Sequence, residues 1–273
     1  MKVTMRRPYL LPFTLAAIAS CPSTASAASR ATGESLSYEI TQTTTSKTDL
    51  SSLPANIRAR AEQNQIAANG KTMTTNLTMT VDSIDADGNA HVNAKFTQSM
   101  QGVTGSGATI LAGAKEFQGT MTAEGRFVPT LDPNASPSID SHGRYTAANA
   151  PNLNAQQMQG TFLDFNAFVT GASKRPKFKT GDNWHLSMQD AIGITRQYDF
   201  SVVELDSANA SAALISMKCE FSSDTSSQKI AASGRYDAAS RILTTYHEDS
   251  AYSSTANGMA SSGVTVMDIK LRK

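Results

Sequence analysis

Apolar and polar residues alternate one by one over most of this chain, and that period constrains the fold more than any other feature. Leu36, Tyr38 and Ile40 alternate with Ser37, Glu39 and Thr41, and Leu77, Met79 and Val81 alternate with Thr78 and Thr80. Ala90, Val92, Ala94 and Phe96 alternate with His91, Asn93 and Lys95. The pattern returns at Trp184, Leu186 and Met188, at Tyr198, Phe200 and Val202, at Ala213 to Phe221, and at Thr265, Met267, Ile269 and Leu271. A period of two sends successive side chains to opposite faces of a strand, so the chain reads as mainly β and antiparallel, with one buried face and one wet face. Asp87-Gly88, lying between two such runs, predicts a tight hairpin turn.

Two segments read as helices instead. Ser51-Ser52, Pro54 and Gly70 bracket a short inserted helix within 52–70, whose apolar face (Leu53, Ile57, Ile66) is thin. The second predicted helix runs over 154–170, with Asn154 as cap and Gly171 as stop. Met158, Phe162, Phe165 and Val169 fall on one stripe of it, which gives the helix a face to bury. Gly160 weakens that helix.

The two halves align. Gly33–Ile40 matches Gly181–Met188, Leu77–Val81 matches Tyr198–Val202, and Gly119, Ala123 and Arg126 match Gly234, Ala238 and Arg241. The expected architecture is therefore two duplicated antiparallel β units forming a curved sheet or half-barrel. The segments are a signal at 1–27, a first β unit at 33–131 with the helical insert 52–70, a linker at 132–180 with the helix 154–170, and a second β unit at 181–273. The Ser/Ala/Gly-rich stretch 250–262 reads as a mobile loop ahead of a last strand at 263–271.

The first 27 residues have the layout of an export signal. Lys2, Arg6 and Arg7 precede an apolar run from Leu10 to Ala19, and Ala25-Ser26-Ala27 offers a cleavage site. Cleavage there predicts a periplasmic or secreted protein. An alternative is written in Ile18-Ala19-Ser20-Cys21, which looks like a lipobox; lipidation of Cys21 would make a membrane-anchored lipoprotein. Losing the three signal cations turns the net charge of +1 into −2, which leaves no electrostatic footprint for nucleic acid. No later apolar run approaches the ~20 residues of a spanning helix. With Cys21 in the signal, Cys219 has no disulfide partner, and its place on an apolar strand face reads as packing.

No catalytic constellation stands out. His91, His142, His185 and His247 share no metal-ligand spacing, so no metal and no cofactor are expected. Asp85-Ala86-Asp87-Gly88-Asn89 has calcium-like oxygen spacing but lacks a closing glutamate, so it reads as a turn. Ser226-Ser227-Gln228-Lys229 and Lys179-Thr180-Gly181 mimic the boxes of penicillin-recognising serine enzymes, but in reversed order. The basic run Lys174-Arg175-Pro176-Lys177-Phe178-Lys179 reads as a solvated linker or as a contact for an acidic partner or a lipid headgroup.

The export signal, the duplicated strands, the Gly-Asp-Asn-Trp strand start at 181–184 and the amphipathic helix together resemble bacterial envelope proteins and, in layout, the half-barrel carriers of lipoproteins and lipids. The expected function is an exported, non-catalytic protein with a binding or structural role, its partner an unknown protein or an apolar ligand. The alternative is a carrier of a lipid or acyl chain, with Met158, Phe162, Phe165, Val169, Trp184 and Phe200 lining the cavity.

Overall fold

The computed structural model describes residues 30–101, 109–110, 114–131, 150–189, 195–256 and 259–272. Residues 1–29, with the predicted export signal and Cys21, and residues 132–149, with His142, lie outside them.

The alternating runs become strands of one antiparallel sheet. Its strands are β1 (Ser35–Thr48), β2 (Lys71–Ile84), β3 (Ala90–Gln101), β4 (Thr109–Ile110), β5 (Lys115–Met121), β6 (Phe127–Pro129), β7 (Asn183–Gln189), β8 (Thr195–Leu205), β9 (Ala212–Ser222), β10 (Ser226–Asp237), β11 (Ile242–Ala256) and β12 (Met259–Arg272). The spatial order is β6-β5-β3-β2-β1-β12-β11-β10-β9-β8-β7, with the short β4 paired to β3 alone. Each half is a meander of neighbouring strands, and the halves join where Ser37–Thr48 of β1 pairs with Ser261–Arg272 of β12. Among the described residues β6 and β7 do not pair with each other, so the sheet stays open.

The alignment of the halves recurs in their backbone bonds. Gly33 N donates to Val81 O at 2.8 Å, and Val81 N to Glu34 O at 2.9 Å. In the second half Gly181 N donates to Val202 O at 3.0 Å, and Val202 N to Asp182 O at 2.9 Å. Both glycines have positive φ, and the pairing register slips just after Val81 and again just after Val202. A one-residue slip is what a β-bulge produces, and it raises local twist.

The sheet is curved. The turn between β5 and β6 meets the turn between β10 and β11: Arg241 Nη1 donates to Ala123 O at 3.1 Å, and Tyr236 Oη to Glu124 O at 3.3 Å. Six strand spacings separate β5 from β10. At ~4.8 Å each, a flat sheet would hold them about 29 Å apart. Contact between them requires the sheet to wrap around its apolar face.

What it wraps is a helix pair, α2 (Ala150–Thr161) and α3 (Leu163–Ser173). The sequence predicts one helix over 154–170. The structure starts it four residues earlier, breaks it at Phe162 and ends it beyond Gly171. The break has local causes. Gly160 is the poorest helix former short of proline, and Thr161 Oγ1 donates back to Gln157 O at 3.1 Å, a bond that bends helices. Asn154 is not a cap: inside α2, its Nδ2 donates to Glu116 O of β5 at 3.2 Å. The inserted helix, α1 (Ala55–Ala68), lies along the far end of β1, where Gln65 Oε1 accepts from Thr48 N at 2.9 Å.

The described residues of the stretch 250–262 are not a loop. They form the outer part of the β11–β12 hairpin, which is paired from Thr245–Lys270 out to Ala256–Met259. This part of the hairpin extends past the apolar core, so nothing selects large side chains on either face and the period-two signal fades. Hydroxyl pairs stand there instead, Ser227 with Ser253 at 2.8 Å and Thr48 with Ser261 at 3.0 Å.

Candidate functional site

The six apolar residues singled out by the sequence are brought together, but in contact with one another. Met158, Phe162 and Val169 are fully buried at 0% exposure, Phe165 and Phe200 stand at 2% and Trp184 at 8%. Phe162 meets Phe165 edge-on at 5.0 Å, and Phe165 meets Tyr246 of β11 at 5.7 Å. Trp184 stacks flat on Phe200 at 5.3 Å. These belong to an aromatic chain that crosses the concave face from Phe117 and Phe127 near one edge to Trp184 at the other. Edge-on aromatic pairs add about 0.5–1.5 kcal/mol each beyond the area they bury.

Polar anchors fix α3 to both edges of the sheet. Asn166 pairs with the backbone of β6, accepting from Phe127 N at 2.9 Å and donating to Phe127 O at 2.6 Å. At the other end Trp184 Nε1 of β7 donates to Gly171 O at 3.0 Å. Gly171 is not a helix stop but a close approach: any β-carbon there would clash with the tip of the Phe200 ring.

Open space begins where the helix pair kinks. A cavity of about 340 Å³ is lined by Gly160, Thr161 and Asp164 of the helices and by Gln42, Gln228, Glu248, Ser250, Tyr252, Thr265 and Met267 of the concave face. Two carboxyl groups meet it from opposite walls. Asp164, 8% exposed, accepts from Tyr198 Oη at 3.2 Å. Glu248, 5% exposed, accepts from Tyr246 Oη at 2.6 Å. Burial disfavours their ionised forms. It raises Asp164 above the ordinary carboxylate range, against the opposing pull of Arg196. Burial, with Asp164 as the next cause, pushes Glu248 up to about 7. At neutral pH this wall offers both donors and acceptors. Ser250 accepts from Gln228 Nε2 at 3.4 Å, and Gln228 Oε1 accepts from Arg196 Nη1 at 2.8 Å.

Comparison with known proteins adds little to this. No protein-family model matches the chain, and no curated protein sequence matches it. A solved structure described as "Lipid-protein interactions in lipovitellin" aligns over 89% of this chain and 25% of that one, with 8% identity and a TM-score of 0.48. The chain thus spans a quarter of the length of that neighbour. At that score the likeness carries neither fold nor role across.

The other sequence candidates fall elsewhere. Asp85–Asn89 is a hairpin turn, with Asp85 Oδ1 accepting from the backbone N of Asp87 and of Asn89, each at 2.9 Å. His185 and His247 lie on the convex face. His185 Nδ1 is 2.5 Å from Asp199, while His247 reaches Asp268 at 2.9 Å and Asp249 at 3.3 Å. Among the described residues no group of three His, Cys, Asp or Glu stands together as a metal site. Among them also, no helix is long and apolar enough to cross a membrane. Cys219 is free and buried, and burial pushes its thiol up to about 11, away from the reactive thiolate. Ser226 and Lys229 of the Ser-x-x-Lys mimic sit on β10, with Lys229 paired to Glu220 at 3.4 Å.

The sequence reading missed the cavity residues, yet a signal for one was present. Glu248 and Ser250 share the strand phase of the buried Tyr246, which sends a carboxyl group into a face that is otherwise apolar. Asp164 gives no such signal, because nothing in the sequence places the side of the helix pair it shares with Gly160 and Thr161 against the cavity.

Proposed function

We propose that this is an exported cell-envelope protein that binds rather than catalyses, and that its ligand is a small amphipathic molecule seated beside the α2–α3 kink. The observation that carries this reading is the 340 Å³ cavity with Asp164 and Glu248 in its wall. That volume falls at the lower end of ligand pockets, about 300–1,000 Å³, and a few convergent polar groups in a concave site are what fix a ligand's orientation. Glu248, Ser250 and Gln228 meet its hydrogen-bonding head, and Tyr252 and Met267 take its apolar part. A wholly hydrocarbon ligand fits less well, since it would leave two buried carboxyl groups without water. The stripe Met158, Phe162, Phe165, Val169, with Trp184 and Phe200, enters this reading as the packed floor under the cavity. Support for export is the basic, apolar and small-residue order of residues 1–27.

Gly160 offers the test. A β-carbon there would meet nothing within 4 Å, so Gly160→Trp can fill the cavity without rebuilding the core. Protein purified without detergent should yield a stoichiometric small molecule on extraction and mass spectrometry, and Gly160→Trp should lose it while melting as the parent does. An equal yield from both proteins, or none from either, overturns the reading. Intact mass of the exported chain separates a start at Ala28 from an acylated Cys21.

A further inference from the structure

At the end of the sheet away from that cavity, a cleft of about 190 Å³ is lined by Ser173, Arg175 and Pro176 after α3 and by Tyr236, Ala238, Ala239 and Arg241 at the β10–β11 turn. Arg175 and Arg241 are among its lining residues, none of which is acidic. Each guanidinium is positioned by something other than a carboxylate. Arg241 Nη1 donates to Ala123 O at 3.1 Å, and Arg175 lies 5.4 Å from the centre of the Trp184 ring. The nearby acids have other partners as well. Asp237 accepts from Ser211 Oγ, Ala239 N, Ser240 Oγ and Asn209 Nδ2, while Glu124 pairs with Arg126 at 3.8 Å. Against the upward push of burial, hydrogen bonding, first to Thr122, and the charges of both Arg126 and the nearby Arg241 hold Glu124 below its ordinary value. A third guanidinium, Arg30, is bound beside the cleft to Thr122 O at 2.9 Å.

The backbone is specialised here too. Arg241, with φ of 55°, is the one non-glycine residue in the left-handed region among those described. Gly125 lies against its carbonyl oxygen, where a β-carbon would come within 3.0 Å. A long charged side chain thus occupies a position that glycine would fill without strain, and a glycine opposite makes room for it.

We propose that Arg175 and Arg241 form a binding site for a phosphate group. Guanidinium groups match phosphate oxygens with paired, charge-assisted hydrogen bonds. Two of them converging from different elements suit a tetrahedral dianion better than a carboxylate, which one arginine already saturates. The cleft is large enough for a phosphate and a short ester arm. Lys174, Lys177 and Lys179, exposed and close to Arg175 in the chain, add positive charge that attracts an anion without orienting it. The site is independent of the ligand proposed for the concave face.

Two titrations decide it: inorganic phosphate by calorimetry, and vesicles of phosphatidylcholine with or without phosphatidylglycerol by co-sedimentation. Binding of free phosphate assigns a soluble phosphate compound; binding of phosphatidylglycerol vesicles alone assigns a lipid headgroup. In either case Arg175→Gln and Arg241→Gly should each weaken binding roughly tenfold or more, the loss of about one charged hydrogen-bonded contact. Arg241→Lys should fall between, and Lys174→Gln with Lys177→Gln should change it about twofold. Arg241→Gly keeps the backbone angle, and Arg175→Gln serves as a second variant should the first not fold. No binding in either titration overturns the site. So does an equal loss in the lysine variant, which would mean diffuse attraction rather than a built cleft.

Discussion

The carbonyl oxygen of Arg241 lies against Cα of Gly125, so close that alanine at 125 would push its β-carbon within 3.0 Å of that oxygen. This contact joins the last turn of the first half to the matching turn of the second, and with Arg241–Ala123 and Tyr236–Glu124 it holds the sheet in its wrapped form. Gly125 also has φ of 96°. Gly125→Ala adds backbone strain of about 1–2 kcal/mol to a clash that only separation of the turns can relieve. Destabilisation of about 3 kcal/mol is expected, lowering the thermal midpoint by roughly 10 °C. Melting followed by circular dichroism checks it; a parent-like midpoint would mean that the two turns do not lock.

Arg241 can be dissected by comparing two substitutions. Alanine removes the guanidinium and its bond to Ala123 but keeps a β-carbon at φ of 55°. Glycine removes the same contacts and relieves the strain. Arg241→Gly should therefore be more stable than Arg241→Ala by about 1 kcal/mol, although glycine is ordinarily the more costly residue to order. Chemical denaturation of both variants measures the difference. The reverse order would show that the left-handed backbone is not a constraint here.

Stability should depend on pH through the cavity wall. Glu248 has its ordinary value near 4.5 when unfolded and stands at about 7 in the fold. Between those values the folded chain binds the extra proton, so stability falls as pH rises from about 4.5 through 7 and changes no further above that. Asp164 is raised as well, and acts in the same direction. The full effect of Glu248 is on the order of 3 kcal/mol. Glu248→Gln keeps a neutral acceptor for Tyr246 Oη and removes the titration. Denaturation midpoints at pH 5 and pH 8 should differ clearly in the parent and by a smaller amount in this variant, which keeps only the contribution of Asp164.

The sheet was legible in the sequence because its buried face is continuous: wherever Tyr38, Leu77, Phe96, Phe200 or Ile215 alternates with Ser, Thr or Lys, a strand exists. The turn at Asp87-Gly88 and the paired strand starts at Gly33 and Gly181 were equally plain, since positive φ calls for glycine. The β11–β12 extension was not, because its Ser and Ala residues reflect the lack of a core rather than the lack of a strand. Nor was the helix kink, which depends on Thr161 choosing a backbone acceptor. Asp164 meets the cavity from the helix pair, and Glu248 meets it from a strand distant in sequence. The cavity is thus a property of curvature, which alternation alone does not encode.

Helix α3 spans the open sheet as a strut, and removing its two anchors should act locally. Asn166→Ala leaves the N–H and C=O of Phe127 without their partners at the β6 edge. An unsatisfied buried backbone group costs about 1–3 kcal/mol, so roughly 2 kcal/mol is expected for this variant. Trp184→Phe removes the donor to Gly171 O while keeping a ring over Phe200, at a cost of about 1 kcal/mol. The anchors bind opposite ends of α3, share no partner and should add. Hydrogen exchange supplies the sharper reading. Amides of β6 and α3 should exchange faster in the double variant, whereas those of β1 and β12, paired over Ser37–Thr48, keep their protection. Uniform acceleration across the sheet would show that the helix is part of a single cooperative core and not a strut between two edges.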